Sequence, residues 1–276
     1  MGNLPISVII IAKNAEMTLE ECLSVVNKSD PAEIIVVDGN STDRTTEIAN
    51  RYTEHIYSDE GKGIGYARQL GAEMASQEYI AYIDSDVFLS DGTLATMFYD
   101  FEASDYTCIG AQPLPAEHSS YWERQRYECN LLSRKIGVST GAGLWRRETI
   151  LKYKFDPFMD GAEDPDLQFR LGKGHKYGTC SAFVYHSPHK AVVNMFTRKG
   201  WEIARLAWKH GLFRLRFWPP LLMLYKLGFC LVRGRPQLVP YIVMQGVFMS
   251  LGMVKGFIDI VKNPRNRPRP SFRFSI

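Results

Sequence analysis

Three apolar runs, ISVIIIA (6–12), EIIVVD (33–38) and EYIAYID (78–84), constrain this chain most. A strand with one wet face alternates apolar and polar residues. These runs do not, so each strand must be covered on both faces. Helix-length segments separate them. After Asn14, which is placed to cap a helix, Met17, Leu19, Cys22, Leu23 and Val26 recur at helical spacing. DRTTEIANRY (43–52) reads as a second helix, followed by a short strand near His55–Ser58, a glycine-rich turn GKGIG (61–65) and a helix from about Tyr66 to Ala75. Ser90 is placed to cap a helix running to about Ala103, and CIGAQP (108–113) reads as a strand. Strands alternating with helices of this length predict an α/β fold, a Rossmann-like, mostly parallel sheet with right-handed crossovers.

The EYIAYID strand ends in a pattern that calls for a partner. AYIDSDVFLSDG (81–92) puts Asp84 and Asp86 either side of Ser85. Buried carboxylates lose several kcal/mol of hydration each, and neighbouring ones repel. Residues i and i+2 of an extended chain point the same way. Three readings are open: a solvated strand end entering a turn, a divalent-cation site, or an acid–base pair. Asp38 ends EIIVVD, so three carboxylates gather on the rim where parallel sheets bind ligands.

The second half is less regular. SSYWERQRYECNLLSRKIG (119–137) reads as a helix, STGAGLWRRETI (139–150) as a glycine turn and strand passing to a helix, GAEDPDLQFRLGKG (161–174) as a helix with Pro165 in its first turn, and KYGTCSAFVYH (176–186) as a last strand. The expected organisation is an α/β domain over 1–190, in two halves that meet at about 115–116, followed by a helical appendage over 191–276. Charge marks the same division. Residues 1–186 hold 17 Lys+Arg and 28 Asp+Glu, net −11; residues 187–276 hold 16 and 2, net +14. The five cysteines are scattered with no C-x-x-C, which suits a reducing cytosol. MGNLPISVIIIAKN lacks a basic leader and a long apolar core, and reads as a first strand.

Neither G-x-x-x-x-G-K-[ST] nor G-x-G-x-x-G after the first strand is present; that turn reads AKNAE. P-loop and dinucleotide binding are therefore not expected. A diphosphate held through Mg²⁺ or Mn²⁺ remains, because these ions bind one or two carboxylates plus substrate phosphates.

SVIIIAKNAEMTLEECL, IIVVDGNSTDRT, GIGYARQLGAEMASQEYIAYIDSD, STGAGLWRRETI and GAEDPDLQFRL follow one another, over about residues 5–190, in an order and spacing that resembles the family 2 inverting glycosyltransferases with the GT-A fold. The resemblance implies a GT-A domain that takes a nucleotide-diphospho-sugar and moves the sugar to an acceptor with inversion. Asp38 would hydrogen-bond the base, with Ile11, Lys13 and Glu16 lining its pocket. Ile11 stands where the family often has proline, and Lys13 where an aromatic is common. Lys62 and Arg68 would lie near the nucleotide and diphosphate. Asp84, Ser85 and Asp86 match the family's D-x-D, with Asp86 the direct ligand of Mn²⁺ or Mg²⁺. Glu163–Asp164 matches its E-D, with Asp164 as base, although an acidic first turn suits any helix. His186, or His189, would complete the metal site or contact the diphosphate. Arg146 and Arg147 could meet phosphate or form a solvated turn, and Trp145 could stack on a sugar or fill the core.

Beyond residue 190 lie two apolar segments, about 219–232 and 238–261, separated by RGRPQ, after a mixed aromatic and basic stretch over 196–218. The first is shorter than the ~20 residues a bilayer span needs, and the second is interrupted by Pro240, Gln245, Gly246, Ser250, Gly252, Lys255 and Gly256. Basic flanks point to the cytoplasmic face of the cell membrane, docked or with one span; a packed hairpin or an oligomer interface is the alternative. The acidic body argues against nucleic acid. A lipid-linked or other membrane-proximal glycan acceptor is expected, reacting through a hydroxyl, because an ionised phosphate would need no base. A polyprenyl-phosphate monosaccharide synthase, a nucleotidyltransferase and an inactive membrane-binding subunit are the competing functions.

Overall fold

The computed structural model describes residues 3–114, 120–133, 141–159, 161–187, 192–211, 218–263 and 268. The chain divides into two compact units, Met1–Ala116 with Lys135–Ser187, and Glu117–Arg134 with Pro188–Ile276.

The first unit runs β1 (Leu4–Ala12), α1 (Leu19–Lys28), β2 (Pro31–Asp38), α2 (Thr45–Ala49), β3 (Ile56–Ser58), α3 (Ile64–Met74), β4 (Tyr79–Asp84), β5 (Val87–Leu89), α4 (Thr93–Glu102) and β6 (Cys108–Leu114). After α5 (Tyr121–Ser133), which belongs to the second unit, it resumes with β7 (Ala142–Arg146), α6 (Arg147–Tyr153), α7 (Glu163–Leu171) and β8 (Tyr177–His186). Among the described residues the strands form one sheet in the order β3-β2-β1-β4-β7-β6-β8-β5. The β3–β2–β1–β4 part is parallel, as is the β6–β8 pair. β7 runs antiparallel to β4 and β6, and β5 antiparallel to β8, so the sheet is mixed at this end.

The unbroken apolar runs are explained by two covered faces. Ile6, Val8 and Ile10 of β1 pack with Leu19, Leu23 and Val26 of α1, while Ile9 points the other way, among Ala67 and Ala72 of α3. Alternate side chains of one strand thus enter different cores.

Two expected helix caps act otherwise. Asn14 adopts a left-handed backbone (φ 49°), and its Oδ1 accepts the Thr42 N–H at 2.8 Å, tying the β1 turn to the β2–α2 loop. α1 begins five residues later, behind Thr18. The Ser90 hydroxyl donates to the Phe183 carbonyl at 2.8 Å, anchoring the start of α4 to β8; the capping position is Gly92 at φ 72°.

The second unit comprises α5, α8 (Val192–His210), α9 (Pro219–Val232) and α10 (Val239–Lys262). Its core gathers Phe196, Cys230, Leu238, Tyr241, Ile242 and Met249. α8 and α10 cross at glycines: a Cβ on Gly200 would lie 1.9 Å from the Met249 carbonyl oxygen, and one on Gly252 1.9 Å from that of Thr197. The stretch Pro236–Lys262 is long and apolar enough to cross a membrane.

Candidate active site

β1 lies between β2 and β4, and its register places Ala12 opposite Asp38 and Ile11 opposite Asp84. Two of the three rim carboxylates therefore flank the same strand end. Asp38 is buried; its Oδ2 accepts the Ser41 N–H at 3.1 Å, and its Oδ1 is buried with no hydrogen-bond partner. An orphaned carboxylate oxygen is costly unless something supplies a donor. Around it, Ile11 is half-buried and Lys13 and Glu16 are exposed. The Glu16 carboxylate accepts the Arg44 N–H at 3.2 Å, and the Glu16 N–H donates to Asp43 at 3.1 Å.

The loop after β3 is organised by a residue that the sequence patterns did not single out. Asp59 is buried, donates its N–H to the Asp38 carbonyl at 2.9 Å, and accepts the N–H groups of Gly61 at 2.7 Å and Gly63 at 3.2 Å. An aspartate two residues before a glycine is a turn signal, and it was legible in SDEGKG. The loop carries Lys62, whose ammonium pairs with Glu60 at 2.6 Å and lies 4.6 Å from the Tyr66 ring centroid.

Arg68, one turn into α3, is the centre of the site. Its side chain is 6% exposed, donating Nη2 to Asp84 Oδ1 and Nε to Glu163 Oε1, both at 3.0 Å. Burial disfavours its charge, but Asp84, Glu163 and Asp164 outweigh that and tighten its hold on the proton. The aromatic face of Tyr82 lies 5.6 Å from the guanidinium carbon, and the Tyr82 hydroxyl donates to the Arg68 carbonyl at 2.9 Å. Arg68 thus joins the end of β4 to the first turn of α7. At the other end of α7, Arg170 pairs with the fully buried Asp166 at 2.9 Å and donates to the Lys154 carbonyl at 2.6 Å, so the helix is clamped twice.

Glu163 is buried, and burial pushes its carboxyl up to about 7; neighbouring Asp164 adds to this and Arg68 opposes it. Its Oε2 has no hydrogen-bond partner. Asp164 is half-buried on the same turn. Asp84, Ser85 and Asp86 are half-buried at the strand end. β5 follows at once and pairs with β8 so that Val87 stands opposite His186, while the Asp86 carbonyl accepts the Ser187 N–H at 2.8 Å. The fold therefore brings His186 beside the D-x-D segment. His189 lies outside the described residues. Behind Asp84, the Cys22 thiol contacts its carbonyl at 3.6 Å, and burial with Asp86 and Asp84 pushes that thiol far up.

Among the described residues, no three His, Cys, Asp or Glu side chains come together as a metal cage. Mg²⁺ and Mn²⁺ rarely use an all-protein cage, so one or two carboxylates of the D-x-D segment together with substrate phosphate oxygens would suit either ion all the same. Arg146 pairs with Glu78 and Glu102, each at 2.8 Å, and Arg147 donates to the Ala72 and Glu73 carbonyls, so both brace the sheet. Trp145 is fully buried in the core with Cys108 and Ile80.

The model of the Glycosyl transferase family 2 matches residues 7–167. A putative glycosyltransferase of Bacillus subtilis, EpsH, is 35% identical over 231 residues, covering 71% of this chain and 65% of that protein. A poly(ribitol-phosphate) beta-glucosyltransferase of Bacillus spizizenii is 28% identical over 180 residues, 58% of this chain and 28% of its own length. The matches thus span less than two thirds of either relative. Among solved structures, the mannosyltransferase PcManGT from Pyrobaculum calidifontis, in complex with GDP-Man and Mn²⁺, superposes with a TM-score of 0.66 at 14% identity, covering 93% of this chain and 88% of that one. That likeness concerns the fold.

Proposed function

The chain belongs to glycosyl transferase family 2, and from that premise we infer that it transfers a sugar, with inversion, from a nucleotide-diphospho-sugar to a hydroxyl of a lipid-linked or membrane-proximal acceptor. The observation that carries this reading is the Arg68 bridge, which ties Asp84, at the end of β4, to Glu163 in the acidic first turn of α7. The relative named for poly(ribitol-phosphate) and the neighbour holding GDP-Man and Mn²⁺ support a glycan acceptor and a metal-assisted donor.

The residues divide the work as follows. Asp38 Oδ1 accepts a base N–H, relieving its unpaired burial. Ile11, Lys13 and Glu16 border the base, and Lys62, leaving Glu60, reaches the phosphates. Asp84 and Asp86, with His186 alongside, would hold Mn²⁺ or Mg²⁺. When bound, that ion neutralises charge on the departing diphosphate, an effect worth several kcal/mol of barrier. Arg68 keeps Asp84 oriented and prevents α7 from drifting. Asp164 takes the proton of the acceptor hydroxyl as its oxygen bonds to the anomeric carbon and the bond to the diphosphate breaks. Glu163, buried against Arg68, positions that turn.

A donor screen with Mn²⁺ or Mg²⁺, reading nucleoside-diphosphate release with and without lipid extract, tests the reading. Asp86→Ala and Asp164→Asn should each abolish transfer. Full turnover by Asp164→Asn alongside an inactive Asp86→Ala would show an acceptor that needs no base, a lipid phosphate. Release of pyrophosphate instead of a nucleoside diphosphate would show a nucleotidyltransferase.

A further inference from the structure

We propose that the second unit docks on an anionic bilayer through one face of α10, and that the groove between α8 and α10 seats a lipid phosphate beside that face. The inference deepens the membrane-proximal acceptor reading and rests on it for the orientation of the enzyme, but its test needs neither donor nor acceptor.

Val243, Val247, Leu251, Val254, Ile258 and Val261 recur every three or four residues along α10 and are 40–71% exposed. The opposite face carries Gly246, Met249, Gly252 and Gly256, packed closely on α8 and α9. The exposed stripe thus belongs to a helix whose other side is already satisfied. A helix of 24 residues is about 36 Å long, so the stripe forms one extended ridge. α9 adds Leu224, Tyr225 and Leu231, exposed by 59, 70 and 64%. Soluble monomers rarely leave a contiguous apolar surface of this extent uncovered.

Charge selects the occupant. Residues 187–276 carry net +14, so a second copy would meet a like-charged partner, whereas anionic lipid is attracted. Gln245, Ser250, Lys255 and Asp259 interrupt α10 and make it a poor lone span, but suit a helix lying in the headgroup plane.

The groove supplies the headgroup contact. It encloses about 380 Å³ and is lined by Asn194, Thr197, Arg198, Trp201, Lys255 and Asp259. Lys255 follows Val254 and Asp259 follows Ile258, so the groove runs along the flank of the ridge. Lys255 is exposed and makes no ion pair among the described residues; Arg198 shares its Nε with Glu202 at 3.3 Å and is 56% exposed. One Asp259 oxygen accepts the Trp201 indole N–H at 2.7 Å, and the two cations outnumber this carboxylate in the groove's lining. A tryptophan with a satisfied N–H and an apolar ring is the residue type enriched at headgroup depth.

The test is flotation of the full chain with phosphatidylcholine vesicles, with and without phosphatidylglycerol. Wild type should float only with the anionic vesicles and be released by salt. Leu251→Glu with Val254→Glu should lower the partition coefficient by at least ~10-fold, and Lys255→Glu or Arg198→Glu by roughly 5-fold each. Should the charged ridge variants not fold, wild-type tryptophan fluorescence provides a second measurement: brominated phosphatidylglycerol should quench it, and Trp201→Phe should reduce the quenching. Absence of flotation and of quenching overturns the proposal. So does a wild-type dimer that the ridge variants dissociate without changing vesicle binding. Equal flotation with neutral vesicles overturns the phosphate groove. Sugar transfer that persists without vesicle binding leaves the enzymatic reading standing while this one falls.

Discussion

Arg68 is held by two carboxylates at 3.0 Å while 6% exposed, an arrangement in which each member is tolerable only because of the others. Arg68→Met leaves Glu163 and Asp84 facing each other without a cation and should destabilise the fold by about 3–5 kcal/mol, read by urea unfolding. Arg68→Lys keeps the charge but not the two-pronged geometry, and should recover part of the stability without restoring turnover. Asp38 predicts the converse. Its Oδ1 has no partner, so Asp38→Asn should unfold at nearly the wild-type urea concentration, while donor affinity falls by about 1.5–3 kcal/mol in calorimetry, the value of a hydrogen bond to a charged group. Glu163 gives a pH signature. Its carboxyl moves from 4.5 to about 7 on folding, so the folded state binds the extra proton between those values. The stability this provides is fully present below 4.5 and is lost as pH rises through 7. Wild type should therefore gain on Glu163→Gln when the pH is lowered from about 7.5 to about 5, and a gap independent of pH would refute it. Asp38, Asp84 and Asp86 could be picked out from strand ends alone. Asp59 could have been, from its place before a glycine turn. The pairing of Arg68 with Glu163 could not, because those residues are 95 positions apart and nothing local to either specifies the other.

The elements that position the site do so through close approach of backbone. β7 passes beside β4, where the Asp84 N–H donates to the Gly141 carbonyl at 2.9 Å, and a Cβ on Gly141 would come within 2.9 Å of Asp84 Oδ2. Gly141→Ala should turn that carboxylate off Arg68 and reduce transfer at least tenfold, with a small change in melting temperature, since a flexible side chain can yield. Gly71→Ala is the structural control. Its Cβ would lie 2.5 Å from Ile9 Cγ2, inside the core between α3 and β1, and should destabilise by about 1–3 kcal/mol without selective loss of turnover. Strand and helix positions were readable because burial repeats with a fixed period along each of them. The antiparallel course of β7 was not readable. An apolar strand buried on both faces looks the same in either direction, and the direction depends on where the preceding chain enters the sheet.

For the molecule as a whole, donor and cation should bind the folded form only, so each should stabilise it by mass action. A nucleotide-diphospho-sugar at roughly 100-fold excess over its Kd should add about 2.7 kcal/mol with Mn²⁺ present, and EDTA should remove most of that gain in a thermal melt. The acidic body and basic C-terminal third are plain in the charge count, as is the alternation that makes an α/β sheet, because composition and periodicity are properties of contiguous residues. The same holds for the carboxylates at the ends of β2 and β4. What folding alone decided is which distant groups meet. The antiparallel β5–β8 pair brings His186 beside Asp86, Arg68 spans from Asp84 to Glu163, and α8 takes one side of α10 and leaves the apolar ridge outside. These contacts follow from crossover geometry and from the closeness that glycines permit between backbones, and neither is written in any short stretch of residues.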